Sequence, residues 1–385
     1  MDRVAIVGVG QTKHEARKKE SSFSEMVYGA VKMALEDAGI GIDGIDNVIT
    51  TSNDFWDGRT ISSMATGDVS GGPGRNVSCV EGDGTFGAFY GLCRILSGSY
   101  GTTLVTAYTK GSESVSHLIT NAAFDPIHMR SLGLDMITAC ALQARRYMTR
   151  YGVTEEELAL ISVKNHGNAL ANPNAHLGMK VTVEDVMNSK KIADPLKLYD
   201  ISPISDGACC VILANEERAK EITNRPVWVK GVSFCADAYL LGDRDLSECR
   251  ALEKAARTAY KMAGIEDPKK EIDVAEVYDA FTYQESLWTE GLGFCGQGEG
   301  GKLAASGATA KDGELPVNPS GGLLGAHPAI AAGLIRIVEA ARQVRGEAGD
   351  MQVEKDVQSA LAHGVNGVCG QSHCVWVLGR DGKRG

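Results

Sequence analysis

The sequence contains no apolar run long enough to cross a bilayer, no Cys-x-x-Cys pair and no excess of basic residues. Each absence removes a class of function. A membrane-spanning helix needs about 20 consecutive apolar residues. Lys and Arg number 39 against 49 Asp and Glu, a net charge of -10. That balance argues against nucleic acid or an anionic membrane as the main partner, and leaves room only for a local basic patch. The opening "MDRVAIVGVG" lacks the layout of a signal peptide and reads as a first strand, so a cytoplasmic protein is expected. The ten cysteines lie mostly inside apolar runs such as "DGACCVILA" and "FYGLCRILSG". They are expected to be reduced, buried, small hydrophobes. Cys369 and Cys374 flank His373 in "CGQSHC", but the spacing fits no common zinc pattern, so no metal is expected.

What is present is an α/β pattern. The chain has 385 residues, long for one core, and its 46 glycines are spread rather than gathered in a linker. "VAIVGVG" reads as a strand. "FSEMVYGAVKMALEDAGI" has apolar residues at helical spacing and stops at Gly39. "IDNVIT" and "LVTAYTKG" are further strands. The sequence also repeats. "AVKMALEDAGIGIDGIDNVIT" resembles "AARTAYKMAGIEDPKKEIDVAEVYDAF", "VWVKGVSF" matches "VAIVGVG", and "GACCVILA" and "SHCVWVLG" are candidate closing strands. Two similar halves are therefore expected, residues 1–220 and 221–385, with the boundary near Asn215 to Arg225. An insertion from about 112 to 205 interrupts the first half and is expected to cover a ligand. Within it, Thr154 and Glu157 have capping-box spacing.

Several landmarks stand in one order along nearly the whole chain: "VAIVGVGQTKH", "ARRYMTRYGVTEEELALISVKNHGNALANPNA", "IADPLKLYDISPISDGACCVIL", "VYDAFTYQESLWTEGLGFCGQGEGG" and "LPVNPSGGLLGAHPAIAAG". In these the chain resembles the thiolase superfamily, and within it the sterol-carrier-protein-type thiolases. The resemblance implies a five-layered αβαβα fold, a homodimer built through core strands and an acyl-CoA substrate under the insertion, with coenzyme A as co-substrate. Family members place a nucleophilic cysteine in "VEAACASG"; here "VEGDGTFG" puts Gly84 there. The second usual cysteine falls near Gly364. The usual histidine of "GGxxGxHP" is His327. The usual Asn or His before "DAF" is Tyr278.

Such an enzyme must tolerate a carbanion beside a thioester and must hold an acyl group in transit. Enolate donors serve the first need and a covalent acyl-enzyme the second. His327, in a glycine-rich loop opening an apolar helix, is the first candidate for base or enolate donor. His14, His117 and His176 have weaker cases. Tyr278 is a hydroxyl donor or a core tyrosine, and both readings stand. Gly84 offers only a backbone N–H, an oxyanion donor at a helix start. Asp83 reads as a helix cap. Among the cysteines, Cys369 leads as a displaced nucleophile able to reach His327. Cys79 is expected to be buried, and Cys295 to border the pocket. His166, Asn318 and Gly322 are candidate acyl-CoA-binding or loop-shaping positions.

The resemblance implies an acyl-CoA C-acyltransferase acting on a 3-oxoacyl-CoA, an aromatic one such as benzoylsuccinyl-CoA among them. Phe55, Trp56 and Arg59 suit an aromatic, carboxylate-bearing acyl group, or a dimer-contact loop. A small zinc-ribbon/OB-fold partner is implied as well. A retro-aldolase on a 3-hydroxyacyl-CoA and a non-catalytic acyl-CoA-binding subunit are the alternatives. Retention of His327 favours the thiolase.

Overall fold

A computed structural model describes residues 3–381. Nine strands form its main sheet: β1 (Val4–Gln11), β2 (Asn47–Ser52), β3 (Asn76–Glu81), β4 (Thr102–Lys110), β5 (Asp206–Asn215), β6 (Val227–Ala236), β7 (Val274–Glu276), β8 (Ser359–Asn366) and β9 (Ser372–Gly379). Their order is β3-β2-β4-β5-β1-β6-β9-β8-β7. The principal helices are α1 (Phe23–Ala38), α2 (Gly84–Leu96), α3 (Met136–Tyr151), α4 (Glu155–Ala169), α5 (Arg250–Ala263), α6 (Thr282–Gly291) and α7 (Ala332–Arg345).

Read outward from the middle, β1-β5-β4-β2 is mirrored by β6-β9-β8-β7. β1 pairs antiparallel with β5 as β6 does with β9, and β2 runs parallel to β4 as β7 does to β8. The halves meet where Ala5 and Ile6 pair with Trp228 and Val227. Buried residues of α1 pack on one face of the first half, with Ala5 and Val7 of β1. α2 and α7 share a second core with residues of both halves, among them Val105 and Trp376. α5 packs on the far face of the second half. The layers are thus α1, sheet, α2 with α7, sheet, α5: the five-layered αβαβα fold. α7 sits in the middle layer and is buried on nearly all sides, and its buried Arg336 is paired with Glu276 at 2.6 Å.

The repeated glycines explain how closely helix and strand approach. A Cβ on Gly10 would lie 2.3 Å from the Ala30 carbonyl oxygen of α1. In the second half a Cβ on Gly231 would lie 2.1 Å from the Ala259 carbonyl oxygen of α5. Only glycine permits either contact. The insertion occupies the β4–β5 connection and carries α3 and α4. Thr154 caps α4, accepting from the Glu157 N–H while the Glu157 carboxylate accepts from the Thr154 N–H at 2.9 Å.

All ten cysteines are free thiols. Six are buried, but Cys79 and Cys93 are exposed, which corrects the expectation for Cys79. Cys79 lies on β3, the outermost strand, where alternate residues face out. Among the described residues no helix is long and apolar enough to cross a membrane.

Candidate active site

A cavity of about 270 Å³ opens between the insertion and the loops that follow the strands. Its wall takes Trp56 from the loop after β2, Asp83 from the turn into α2, and His117 and Ile137 from the insertion. Ser202 enters before β5, Tyr278 and Phe281 between β7 and α6, His327 before α7, and Asn366 to Gly370 from the β8–β9 connection.

His327 is fixed through its backbone and its ring. Its N–H donates to Ser205 Oγ at 2.8 Å, and its carbonyl accepts from the Ser205 N–H at 3.2 Å. Nearby, the Ile330 N–H donates to Thr109 Oγ1 at 2.8 Å. The ring spans two hydroxyls: Nδ1 lies 2.8 Å from Ser202 Oγ and Nε2 3.0 Å from Tyr278 Oη. The Tyr278 and His327 rings meet edge-on, 5.5 Å apart and at 90°. Loss of hydration, with the Arg336 charge adding to it, lowers the imidazole pKa to about 3. The ring is therefore neutral across the physiological range. Burial raises the Tyr278 phenol well above its ordinary value, so it stays protonated.

Tyr278 is positioned from two sides, by the loop before His327 and by the middle of β8. The neighbouring Val277 N–H donates to Asn318 Oδ1 at 2.7 Å, and its own N–H approaches His363 Nδ1 at 3.4 Å. Asp279 points away from the cavity. It accepts from the Leu323 N–H at 2.6 Å and from Asn165 Nδ2 at 2.7 Å, tying the loop before His327 to α4.

The remaining candidates occupy other places. The Gly84 N–H donates to the Ile330 carbonyl at 2.8 Å, so it is not free as an oxyanion donor. A Cβ there would meet Leu334 Cβ at 2.5 Å and Ala107 Cβ at 3.1 Å. The space that a side chain at this position would take is filled by Leu334 of α7 and Ala107 of β4. Asp83 caps α2, accepting from the Thr85 N–H at 3.0 Å, and bridges to α7 by accepting from the Gly333 N–H at 2.8 Å.

Cys369 shares the cavity wall with His327, but its Sγ faces Cys140 Sγ at 3.9 Å on α3. Its carbonyl accepts from Gln143 Nε2 at 3.3 Å and Arg244 Nη1 at 3.2 Å, and its φ of 52 turns the side chain back into the core. Cys140 and burial together raise the Cys369 thiol well above its ordinary value. Among the described residues no cysteine hydrogen-bonds to His327. Cys295 is not part of the wall.

Nor do His166, Asn318 and Gly322 line the cavity. His166 Nδ1 bonds the Leu177 carbonyl at 3.2 Å. Asn318 Nδ2 donates to Glu285 at 2.9 Å, and a Cβ on Gly322 would meet Asp279 Oδ1 at 2.3 Å. These three shape the framework behind the site. Ser202 and Asn366 escaped the sequence reading. Ser202 stands in the landmark "ISPISDG", but a loop serine has no periodic signature, and its partner His327 is 125 residues away.

The Asp83 carboxyl carries a stability prediction. Burial raises its pKa to about 6, against hydrogen bonds from Thr85 and Gly333 that lower it. The folded chain then binds the proton more tightly than the unfolded chain, so this group's contribution falls as pH rises from about 4 to about 6 and is level above that. Asp83→Asn should remove that component. The loss of urea midpoint between pH 4.5 and 6.5 is expected to be smaller in the variant, and an unchanged loss would exclude Asp83 as its source.

The five layers and a histidine loop closing on a cavity between two halves define a class, and the comparisons identify it. Residues 4–217 match the thiolase N-terminal domain and residues 234–380 the thiolase C-terminal domain-like family, so the chain belongs to the thiolase family, and its acetyl-CoA acetyltransferase relatives make it an acyl-CoA C-acyltransferase. It is 38% identical to the acetyl-CoA acetyltransferase of Methanothermobacter thermautotrophicus over 378 residues, 96% of this chain and 98% of that one. It is 35% identical to the BbsB subunit of the benzoylsuccinyl-CoA thiolase of Thauera aromatica over 239 residues, 62% of each chain. The Ltp2-ChsH2(DUF35) aldolase superposes with a TM-score of 0.84 at 26% identity, over 99% of this chain and 98% of that one.

Proposed function

We propose that this chain makes or cleaves the C–C bond of a 3-oxoacyl-CoA, with free CoA as the thiol that accepts the acyl group. The observation that carries this reading is His327, held neutral between two hydroxyls at the cavity wall. A neutral imidazole can take the α-proton of an acyl thioester or donate to its oxygen as the enolate forms. The Tyr278 hydroxyl, 3.0 Å from Nε2, supplies a second proton donor beside it. With acetoacetyl-CoA or benzoylacetyl-CoA and added CoA, chromatography should show two new CoA esters. An unchanged substrate in both reactions, at micromolar enzyme, would refute the proposal.

The acyl group is proposed to be uncharged and apolar, an aromatic acyl group among the candidates. Trp56, Ile137, Ile204 and Phe281 face the cavity, and no Lys or Arg among the described residues lines it. Arg59 is turned elsewhere, paired with Glu113 and stacked 4.0 Å over Phe23. A carboxylate-bearing acyl group therefore lacks the cation that the "DFWDGR" segment was expected to offer. Competition assays should rank benzoyl-CoA above succinyl-CoA as an inhibitor by tenfold or more, and equal potency would contradict this assignment.

The retro-aldolase reading has an observation at the site in its favour: among the described residues no cysteine bonds to His327, as an enzyme without an acyl-enzyme would have it. Cleavage of a 3-hydroxyacyl-CoA without free CoA is its signature. A small zinc-ribbon/OB-fold partner is proposed with either reading, in keeping with relatives named as a subunit and as a two-protein aldolase. The ten free thiols agree with a reducing compartment such as the cytoplasm.

A homodimer is also proposed, through β3. This strand ends the sheet, and Val77 and Cys79 on it are exposed. An unpaired apolar edge calls for a cover. Light scattering should give twice the chain mass for the native protein and the single mass for Val77→Arg. A monomeric native protein would rule the interface out.

A further inference from the structure

The acyl group needs a carrier, and neither Gly84 nor the thiol of Cys369 is placed to be one. We infer that Ser202 is the nucleophile that carries the acyl group, as an oxygen ester, in the reaction proposed above. The inference rests on that reaction.

Three observations point to Ser202. It lines the cavity and is partly exposed there. Its Oγ lies 2.8 Å from His327 Nδ1. The far side of the imidazole is in turn held by a third group, Tyr278 Oη, 3.0 Å from Nε2. A nucleophile, a base and a group that orients the base form the arrangement that activates serine in unrelated folds. Its backbone is fixed as well, since the Ser202 N–H donates to the Ala280 carbonyl at 3.0 Å.

The direction of the hydrogen bonds follows from counting protons. A neutral imidazole carries one N–H. With that proton on Nε2, the Tyr278 hydroxyl donates to the Ala329 carbonyl at 3.5 Å, His327 Nε2–H donates to Tyr278 Oη, and the Ser202 hydroxyl donates to His327 Nδ1. Every proton has an acceptor. With the proton on Nδ1, the Ser202 hydroxyl has no acceptor among the described residues. The tautomer with its proton on Nε2 is the one in which His327 Nδ1 accepts from Ser202 and can draw its proton.

In the step itself, Ser202 Oγ attacks the carbonyl carbon of the acyl thioester while its proton passes to His327 Nδ1. The tetrahedral adduct collapses with cleavage of the C–S bond. The CoA sulfur leaves and takes the proton back from Nδ1. The products are free CoA and an acyl ester on Ser202, and no oxidant or reductant is needed. When a 3-oxoacyl-CoA is the substrate, the same oxygen attacks the 3-oxo carbon, the C2–C3 bond breaks, and the enolate of the shortened acyl-CoA leaves and takes the proton from Nδ1 at C2. Free CoA then reverses the first step and removes the acyl group.

The test is acid-quenched intact mass after incubation with benzoyl-CoA or acetyl-CoA, followed by peptide mapping and hydroxylamine treatment. The expected result is a gain of one acyl group on the Ser202 peptide, stable to neutral hydroxylamine and released by alkaline hydroxylamine, as an oxygen ester should be. Ser202→Ala should show no gain and should lose CoA-dependent cleavage by on the order of 10³-fold or more. Cys369→Ala should acylate as the native chain does. Ser202→Cys should acylate in a form that neutral hydroxylamine removes, which shows that the position folds and reacts. An acyl group on Cys369, or acylation surviving in Ser202→Ala, would overturn the assignment. Native-rate cleavage in Ser202→Ala overturns it while leaving the proposed reaction intact, and absence of both acylation and CoA-dependent cleavage in the native chain overturns both.

Discussion

His327→Ala is expected to lower kcat for CoA-dependent cleavage by about 10³-fold, within the range typical of a lost general acid–base group. The effect should fall on kcat more than on KM, because the ring handles protons at the reacting atoms and is one of many groups that line the cavity. His327→Gln restores hydrogen-bonding capacity towards Ser202 and Tyr278 but no base, so it should be no faster than the alanine variant. The pH profile adds a check. The imidazole pKa is lowered to about 3, so no loss of activity near the ordinary histidine pKa should be traceable to His327. Stopped assays from pH 5 to 9 on native enzyme and on His327→Gln would settle it: a limb near pH 6.5 in the native enzyme that vanishes in the variant would show that the ring titrates normally and that its burial is less complete than described.

A cysteine placed at position 84, where the sequence resemblance would put a nucleophile, is expected to harm the protein and not to supply one. In Gly84→Cys the new Cβ lies 2.5 Å from Leu334 Cβ, and neither backbone can move freely: the Gly84 N–H is bonded to Ile330 and the Gly333 N–H to Asp83. Overpacking of this kind costs about 1–3 kcal/mol. The urea midpoint should fall accordingly, and the new thiol should not acylate. Gly84→Cys combined with Leu334→Gly removes the Cβ that the new side chain meets, so the double variant should be less destabilised than the sum of its single changes, a coupling that contacting residues show. An additive double variant, or a Gly84→Cys chain as stable as the native one, would mean that α7 does not fill this site.

Much of the architecture was legible because it follows from repetition. The glycines of "VAIVGVG" and "VWVKGVSF" mark two strands that each press against a following helix, and both helices end at glycine. His327 was legible because its loop stands in a long ordered motif. The fine placement of the thiols was not. Cys79 alternates with apolar neighbours and reads as interior, yet it lies on the one strand of its half with an open edge. Cys369 sits in the expected loop, but which way its side chain turns depends on Arg244 and Gln143, far off in sequence, which hold its carbonyl. The bond between Ser202 and His327 is likewise tertiary. It joins the end of the insertion to the loop before α7 and exists only once the two halves have closed.

The most direct test of the proposed reaction is its stoichiometry in CoA. Benzoylacetyl-CoA is incubated with the native chain, with and without free CoA, and thiol consumption is titrated against the CoA esters formed. The expected result is no turnover beyond one equivalent of enzyme without CoA, and one CoA consumed for each C–C bond broken when it is present. Sustained cleavage without CoA, releasing a free carbonyl compound from the corresponding 3-hydroxyacyl-CoA, would contradict it and make the chain an aldolase.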